Sequence, residues 1–403
     1  MIILFWFALV IITYTYVLFP LIVFLRGRFF REPYTSAEID CTVSIVIAAY
    51  NEARSIGKKL DNLLALNYPK EHLEVIIASD GSTDETDEIV KRYGGYGIKL
   101  LSLPRMGKAD ALNAAVKASN GEIIVFSDAN SMFTQDALHA LINPFADSKI
   151  GGVAGNQCYQ GKKELKVNRS ELSYWNFDRQ MKKSQSRAGN AISATGAIYA
   201  IRRSLFQPIP VGVTDDFITS TRVIAQGYRL VFAPDAIAYE PPAESNSAEF
   251  ARKVRIMTRG LQAVLVMRSL LNPFRYGYYS IELFSHKVLR RLVVFPLLTL
   301  AFVSPFLWNQ GLLYQVVTLS QGLFYGMALM GFLLRKTALS NRKLFTFPLF
   351  FCMVYAAAFI ATFNIILGRK IVRWEPNRQE VMKVTESNSK AFIKSDESIV
   401  REN

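Results

Sequence analysis

The chain has 403 residues, room for two or three domain-sized units, and 51% of them are hydrophobic. Its formal net charge is +14, but much of the excess sits beside apolar runs, where basic residues meet anionic lipid, so nucleic acid is not required as a partner. The three cysteines (Cys41, Cys158, Cys352) are far apart and odd in number, which supports neither a disulfide framework nor a zinc site. The three histidines (His72, His139, His286) show no ligand spacing and read as surface or interface residues.

In chain order, the first element is an uncharged run from Ile2 to Leu25. Three more follow late in the chain, at Leu292–Trp308, Gly311–Leu334 and Leu344–Gly368. Each is long enough, or nearly so, to cross a hydrocarbon core of about 30 Å. The first lacks the basic flank and small-residue cleavage site of a signal peptide, so it is read as a membrane anchor. Arg26, Arg28 and Arg31 follow it, and Arg335, Lys336, Arg342 and Lys343 fill the loop between the last two runs. Basic residues mark the cytoplasmic side, which puts the segment from Arg26 to about Arg291 in the cytoplasm. Arg369, Lys370 and Arg373 also look cytoplasmic, and four crossings do not satisfy both clusters. Either one apolar run is re-entrant or interfacial, or the charge rule fails.

After a basic linker at 26–40, Val43–Ala48 is almost wholly apolar and β-branched, as a strand buried on both faces should be. Ser55–Leu66 reads as a helix with Ile56, Leu60, Leu63 and Leu64 on one stripe. Leu73–Ala78, Ile98–Leu103 and Ile123–Ser127 read as further buried strands, with a helix from Gly107 through Lys117 before the last. This alternation predicts an α/β domain with a mostly parallel sheet and helices on both faces. Beyond it, 165–187 is expected to be helical with Leu172, Trp175 and Phe177 inward. Gly196–Ile201, Tyr228–Ala233 and Ala236–Glu240 are expected strands, and a helix runs from Thr214 to Gln226. From Ala248 the pattern is helical, amphipathic and basic, suited to a membrane surface, and Glu282–Arg291 reads as a second surface helix. The resulting division is an anchor at 1–25, a cytoplasmic catalytic domain at 26–247, interfacial helices at 248–291, three membrane segments within 292–368 and a polar tail at 369–403.

Two acids stand at strand ends. Asp80 follows the second strand and Asp128 the fourth, on the edge where open α/β sheets take ligands. Asp128 and Asn130 point the same way if the chain stays extended, and their oxygens suit a hard divalent cation held against a diphosphate. Taken alone, that stretch is a strand running into an Asp-rich turn. Lys108 opens a helix, where backbone N–H groups favour an anion. There is neither a Walker A loop nor a GxGxxG fingerprint. Asp215 and Asp216 begin a helix, which suits its dipole. Paired and partly desolvated, they also suit a catalytic base whose pKa is raised.

The ordered set resembles the family 2, GT-A-fold membrane glycosyltransferases, which include synthases of cellulose, chitin, hyaluronan and poly-N-acetylglucosamine. The resemblance covers roughly residues 1–370 and rests on the order and spacing of several short motifs. It implies that Ala49, Tyr50, Asn51 and Glu52 hold the nucleotide base, that Asp80 also contacts the nucleotide, and that Lys108 contacts the diphosphate. Asp128-Ala129-Asn130 stands at the DxD position, which binds diphosphate and Mg²⁺ or Mn²⁺, with one acid replaced by Asn130. Thr214-Asp215-Asp216 is similar to the TED motif, with Asp216 as base. The QxxRW position is Arg252-Lys253-Val254-Arg255-Ile256, which keeps only the arginine, Arg255. Arg252 and Arg255 are placed, with Asp215, on the acceptor and phosphate side. The implied activity is inverting transfer from a nucleotide-diphosphate sugar, a UDP-sugar by resemblance, that builds or extends a polysaccharide. The implied setting is the bacterial inner or plasma membrane. Its partners would be the donor, a sugar polymer or lipid-linked acceptor, membrane lipids, and an accessory subunit or second copy. Alternatives are a non-processive transferase to a lipid-phosphate acceptor, a membrane scaffold and, ranked last, a transporter, which needs polar residues inside the membrane runs, where Gln315, Gln321 and Asn364 are few and uncharged.

Overall fold

A computed structural model describes residues 1–159, 169–241, 246–334, 337 and 342–369. The tail from 370 on, Arg335 and Lys336 of the basic loop, residues 165–168 of the expected helix, and the side chains of Leu172 and Trp175 lie outside the described residues.

Among the described residues, one mixed sheet is built from β1 (Val43–Ala49), β2 (Leu73–Asp80), β3 (Ile98–Leu103), β4 (Ile123–Phe126), β5 (Met132–Phe133), β6 (Ile150–Tyr159), β7 (Tyr199–Arg202) and β8 (Arg229–Glu240). Their order is β3-β2-β1-β4-β7-β6-β8-β5. β3, β2, β1 and β4 run parallel, as the near-continuous apolar runs predict. β7 is antiparallel to β4 and β6, while β6 and β8 are parallel again. The carboxyl ends of β1, β2, β4, β6 and β8 therefore share one edge.

Every residue of β1 is buried because both faces are covered. Ile45 and Ile47 face one core layer with α1 (Ile56–Leu64), whose Ile56, Leu60 and Leu63 are buried, and α2 (Ala137–Ile142). Val46 and Ala48 face the other, with α3 (Lys108–Lys117) and α4 (Asp215–Ala225).

The sheet departs from expectation in more than one place. The two-residue β5 was not expected, and neither was β6. Its Gly151 lies so near α4 and the strand beyond it that a Cβ there would come within 2.5 Å of Tyr228 and 2.8 Å of Val223. The two short strands expected at 228–240 are one strand, β8. Pro234 is tolerated there because the pairing shifts between Ala154 and Asn156, and its carbonyl accepts from the Asn156 amide at 2.7 Å.

Outside the sheet, α5 (Arg169–Arg187) packs on the first apolar helix, α6 (Ile2–Phe29). The contact is tight at Gly27, where a Cβ would lie 2.6 Å from the Ser184 carbonyl oxygen. Phe177 was expected inward but is 37% exposed and meets Phe24 edge-on. α7 (Asn246–Val266) does more than lie flat, since it packs lengthwise along α8 (Lys343–Ile366) and buries Leu261, Ala263 and Val264.

Among the described residues, three helices are long and apolar enough to cross a membrane: α6, α9 (Leu312–Leu333) and α8. The run expected at 292–308 is not an independent straight span. It continues α10 (Tyr278–Leu292) across a 46° bend into Val294–Gln310, so the pair is one broken span or a re-entrant loop. The surface helix expected at 282–291 belongs to α10, and its Glu282, Leu283, Ser285 and His286 are buried. Glu282 meets Arg26 at 3.3 Å, and His286 meets Asp178 of α5 at 3.1 Å. The side-chain amides of the apolar runs find acceptors: Gln315 donates to the Trp308 carbonyl, Gln321 to Ser304 and Asn364 to Thr258.

Candidate active site

The sheet edge gathers the predicted residues into two clusters. The first surrounds the loops after β1 and β2. Asn51 takes a positive φ of 53°, and its amide oxygen accepts from the Thr83 N–H at 2.8 Å, which ties the two loops together. Asp80 is fully buried. Its carboxylate accepts from the backbone N–H of Met106 (2.7 Å) and Gly107 (2.8 Å), and from the Arg105 guanidinium. Gly81 is required beneath this loop: its φ is +67° and a Cβ would lie 2.8 Å from the Arg105 nitrogen. Arg105 in turn lies over the Tyr50 ring, 3.4 Å from its centroid. Ala49 is buried at the end of β1, and the Glu52 carboxylate turns back to accept from the Ser55 hydroxyl. The structure thus brings Tyr50 and Asp80 together through Arg105, a residue that sequence reasoning missed.

The second cluster is centred on Lys108. Its ammonium donates to Asp128 at 2.7 Å and lies 3.0 Å from Asp215. Burial works against the charge, but the carboxylates of Asp128 and Asp215 outweigh it and hold Lys108 well above the usual lysine range. Asp216, beside Asp215 at the start of α4, accepts from the Phe217 N–H at 2.7 Å. Burial and the Asp215 charge push its carboxyl up to about 6, against the pull of Lys108. An acid so shifted can hold and release a proton near neutral pH.

Asp128 projects into space that a glycine leaves open. A Cβ at Gly196 would lie 2.9 Å from Asp128 Oδ2. Gly196→Ala is therefore expected to displace that carboxylate while leaving the fold intact, with kcat/KM falling about 10- to 100-fold. Steady-state kinetics beside a melting curve checks this. Asn130 follows, half-buried. One carboxylate and one amide oxygen fit Mg²⁺ or Mn²⁺, which take the rest of their shell from phosphate and water. Among the described residues no group of three or more His, Cys, Asp or Glu forms a complete protein cage.

Sequence reasoning also missed the support beneath this turn. Lys59 is fully buried, and burial pushes its ammonium down to about 7 against the pull of Asp128 and Glu240. Glu240, at the end of β8, is likewise raised to about 7, by burial and by Asp128. On the far side, α7 carries Arg252, Arg255 and Arg259. Burial and the charges of Arg259 and Arg252 lower the Arg255 guanidinium, and burial lowers that of Arg259 as well, against the pull of Asp215.

Residues 44–209 match the family described as Glycosyl transferase family 2. They are a family 2 glycosyl transferase domain. The domain includes Asp80, Lys108 and Asp128, while Asp215 and Asp216 lie just beyond the matched residues. Poly-beta-1,6-N-acetyl-D-glucosamine synthase of Staphylococcus aureus (strain COL) is 29% identical over 233 residues, 55% of each chain. The synthase of the same name from Staphylococcus epidermidis is 27% identical over 230 residues. The chain spans about half the length of the curated relatives it matches (55%). A mannosyltransferase from Pyrobaculum calidifontis, solved in complex with GDP-Man and Mn²⁺, superposes with a TM-score of 0.68 at 24% identity, covering 91% of this chain and all of that one. The glycosyl transferase domain has the GT-A fold.

Proposed function

We propose that the protein is an inverting glycosyltransferase that takes a sugar from a nucleoside-diphosphate donor, a UDP-sugar in the first place, and builds or extends a polysaccharide at a membrane. The single observation that carries this reading is the Lys108 bridge. One ammonium joins Asp128, on the diphosphate side, to Asp215, beside the base. The names of the relatives favour an N-acetylglucosamine polymer. The basic residues after α6 favour a cytoplasmic face for the domain.

Ala49, Tyr50, Glu52 and Asp80 line or brace the pocket for the base. Asp128 and Asn130 would hold Mg²⁺ or Mn²⁺, which when bound offsets charge on the leaving diphosphate. Lys108 and Arg255 add positive charge there, Arg252 lies on the same helix, and Asp215 keeps Lys108 in place. Asp216 takes the proton from the acceptor hydroxyl. The acceptor oxygen bonds to the anomeric carbon as the bond from that carbon to the diphosphate oxygen breaks, and the nucleoside diphosphate leaves with its electron pair. One displacement inverts the anomeric centre, as single-base glycoside chemistry does.

Purified protein incubated with a panel of radiolabelled nucleotide sugars should label a product from one donor only in the presence of Mg²⁺ or Mn²⁺. No binding of any nucleotide sugar would favour a scaffold instead. A second reading, single transfer to a lipid-phosphate acceptor, is favoured by Ile256, which is 45% exposed where processive synthases carry tryptophan. Product sizing decides between the two, because a polymer excludes single transfer.

A further inference from the structure

Lys59 stands on the apolar stripe of α1, three residues after Ile56 and four before Leu63, and is 0% exposed. Methionine would fill that place with no charge to desolvate. The lysine is nonetheless fully partnered. Its ammonium donates to the Ser127 hydroxyl at 2.9 Å and to the Ser131 carbonyl at 2.5 Å, and lies 3.7 Å from the centroid of the Phe133 ring. Ser127 and Ser131 bracket the turn that carries Asp128 and Asn130. One buried cation therefore grips both ends of that turn.

The grip extends in two directions. Ser127 passes its own hydroxyl to the Ala197 carbonyl at 3.0 Å, next to the Gly196 that makes room for Asp128. The Ser131 hydroxyl donates to Glu240 Oε1 at 2.9 Å, and Gln157 donates to Glu240 Oε2 at 2.5 Å. A helix, two strands and the approaches to two more thus meet on the turn through a single buried network: α1 by Lys59, β6 by Gln157, β8 by Glu240, the residue after β4 by Ser127, and the segment leading into β7 by Ala197. Hydrogen-bonded supports of this kind fix the orientation of metal-binding groups, and their loss commonly costs 10- to 100-fold in metal affinity.

We infer that Lys59, with Glu240 as its buried counter-charge, is a positioning residue that holds the Asp128–Asn130 turn in the geometry that receives a divalent cation and a nucleoside diphosphate. This rests on the reading of that turn given above. With a single carboxylate in the turn, the orientation of the remaining oxygens matters more. A support that costs two buried charges is accounted for by that need.

The test uses the full-length protein in detergent, with Mn²⁺ and UDP, and separately GDP, as probes in calorimetric titration. Lys59→Met removes the grip but strands the Glu240 charge, so the double variant Lys59→Met/Glu240→Gln is measured beside it, both charges being gone. In both variants the apparent Kd for Mn²⁺ in the presence of nucleotide should rise about 10- to 100-fold. The melting temperature of the double variant should stay near that of the unsubstituted protein. A folded double variant with unchanged Mn²⁺ affinity overturns the inference alone. Absence of Mn²⁺-dependent nucleotide binding in the unsubstituted protein overturns it together with the reading beneath it.

Discussion

Asp216→Asn is expected to lower kcat by about 10²- to 10⁴-fold while nucleotide-sugar binding persists, because an amide of the same shape cannot accept the acceptor proton. The expected pH dependence follows from the same carboxyl. Burial and Asp215 raise it to about 6, so it is protonated and inactive as a base at low pH. kcat/KM of the unsubstituted protein should rise about tenfold per pH unit below that value and level off above it. The rising limb should be missing from the residual activity of the variant. Equilibrium binding of the donor, which makes no demand on the base, separates this outcome from general damage to the site. A variant with normal turnover would remove Asp216 from the mechanism.

Asp128→Asn should be nearly as severe, by a different route. The amide keeps the shape that Gly196 accommodates but loses the charge that pairs with Lys108 and that the proposed divalent cation would use. A bound cation contributes several kcal/mol of charge stabilisation in such reactions. At about 1.4 kcal/mol per tenfold, its loss predicts a rate reduction of more than about a hundredfold. Mn²⁺-dependent nucleotide binding should fall with it. Asn130→Asp is the converse change. It restores a second carboxylate to the turn, so less Mn²⁺ should be needed for half-maximal activity. Titrating Mn²⁺ against activity for the two variants measures both shifts, and movement in the same direction would contradict the assignment of the turn.

The parallel half of the sheet was legible because its strands are buried on both faces. Ser44–Ala48 and Val75–Ala78 have almost no polar residue to break the run, and each leads into a loop that carries a candidate site residue. The other half was not legible, for reasons of packing. In β6, glycine at 151, 152 and 155 removes the side chains that announce a strand, because α4 and its neighbours come too close for a Cβ. Pro234 splits the β8 pattern in two, although the register shift absorbs it. The bend between Leu292 and Val294 falls where Arg290-Arg291 gives way to the apolar run, a step in hydropathy that marks a boundary but not an angle.

At the site, Asp80, Lys108, Asp128 and Asp216 could be read as chemistry-bearing types at element ends. That Lys108 joins Asp128 to Asp215 could not, since it depends on how α4 sits over the sheet. Arg105 lies in the loop between β3 and α3 and belongs to no motif that the sequence displays. Lys59 left one signal, a lysine at a helix position whose neighbours at i−3, i+1 and i+4 are all apolar and buried.

The most direct test of a single displacement driven by Asp216 is the anomeric configuration of the product, read by NMR after transfer from an α-linked nucleotide sugar by the purified protein. One base and one displacement predict a β-linked product. An α-linked product would contradict the account, because retention needs a second displacement or attack on the same face as the leaving diphosphate.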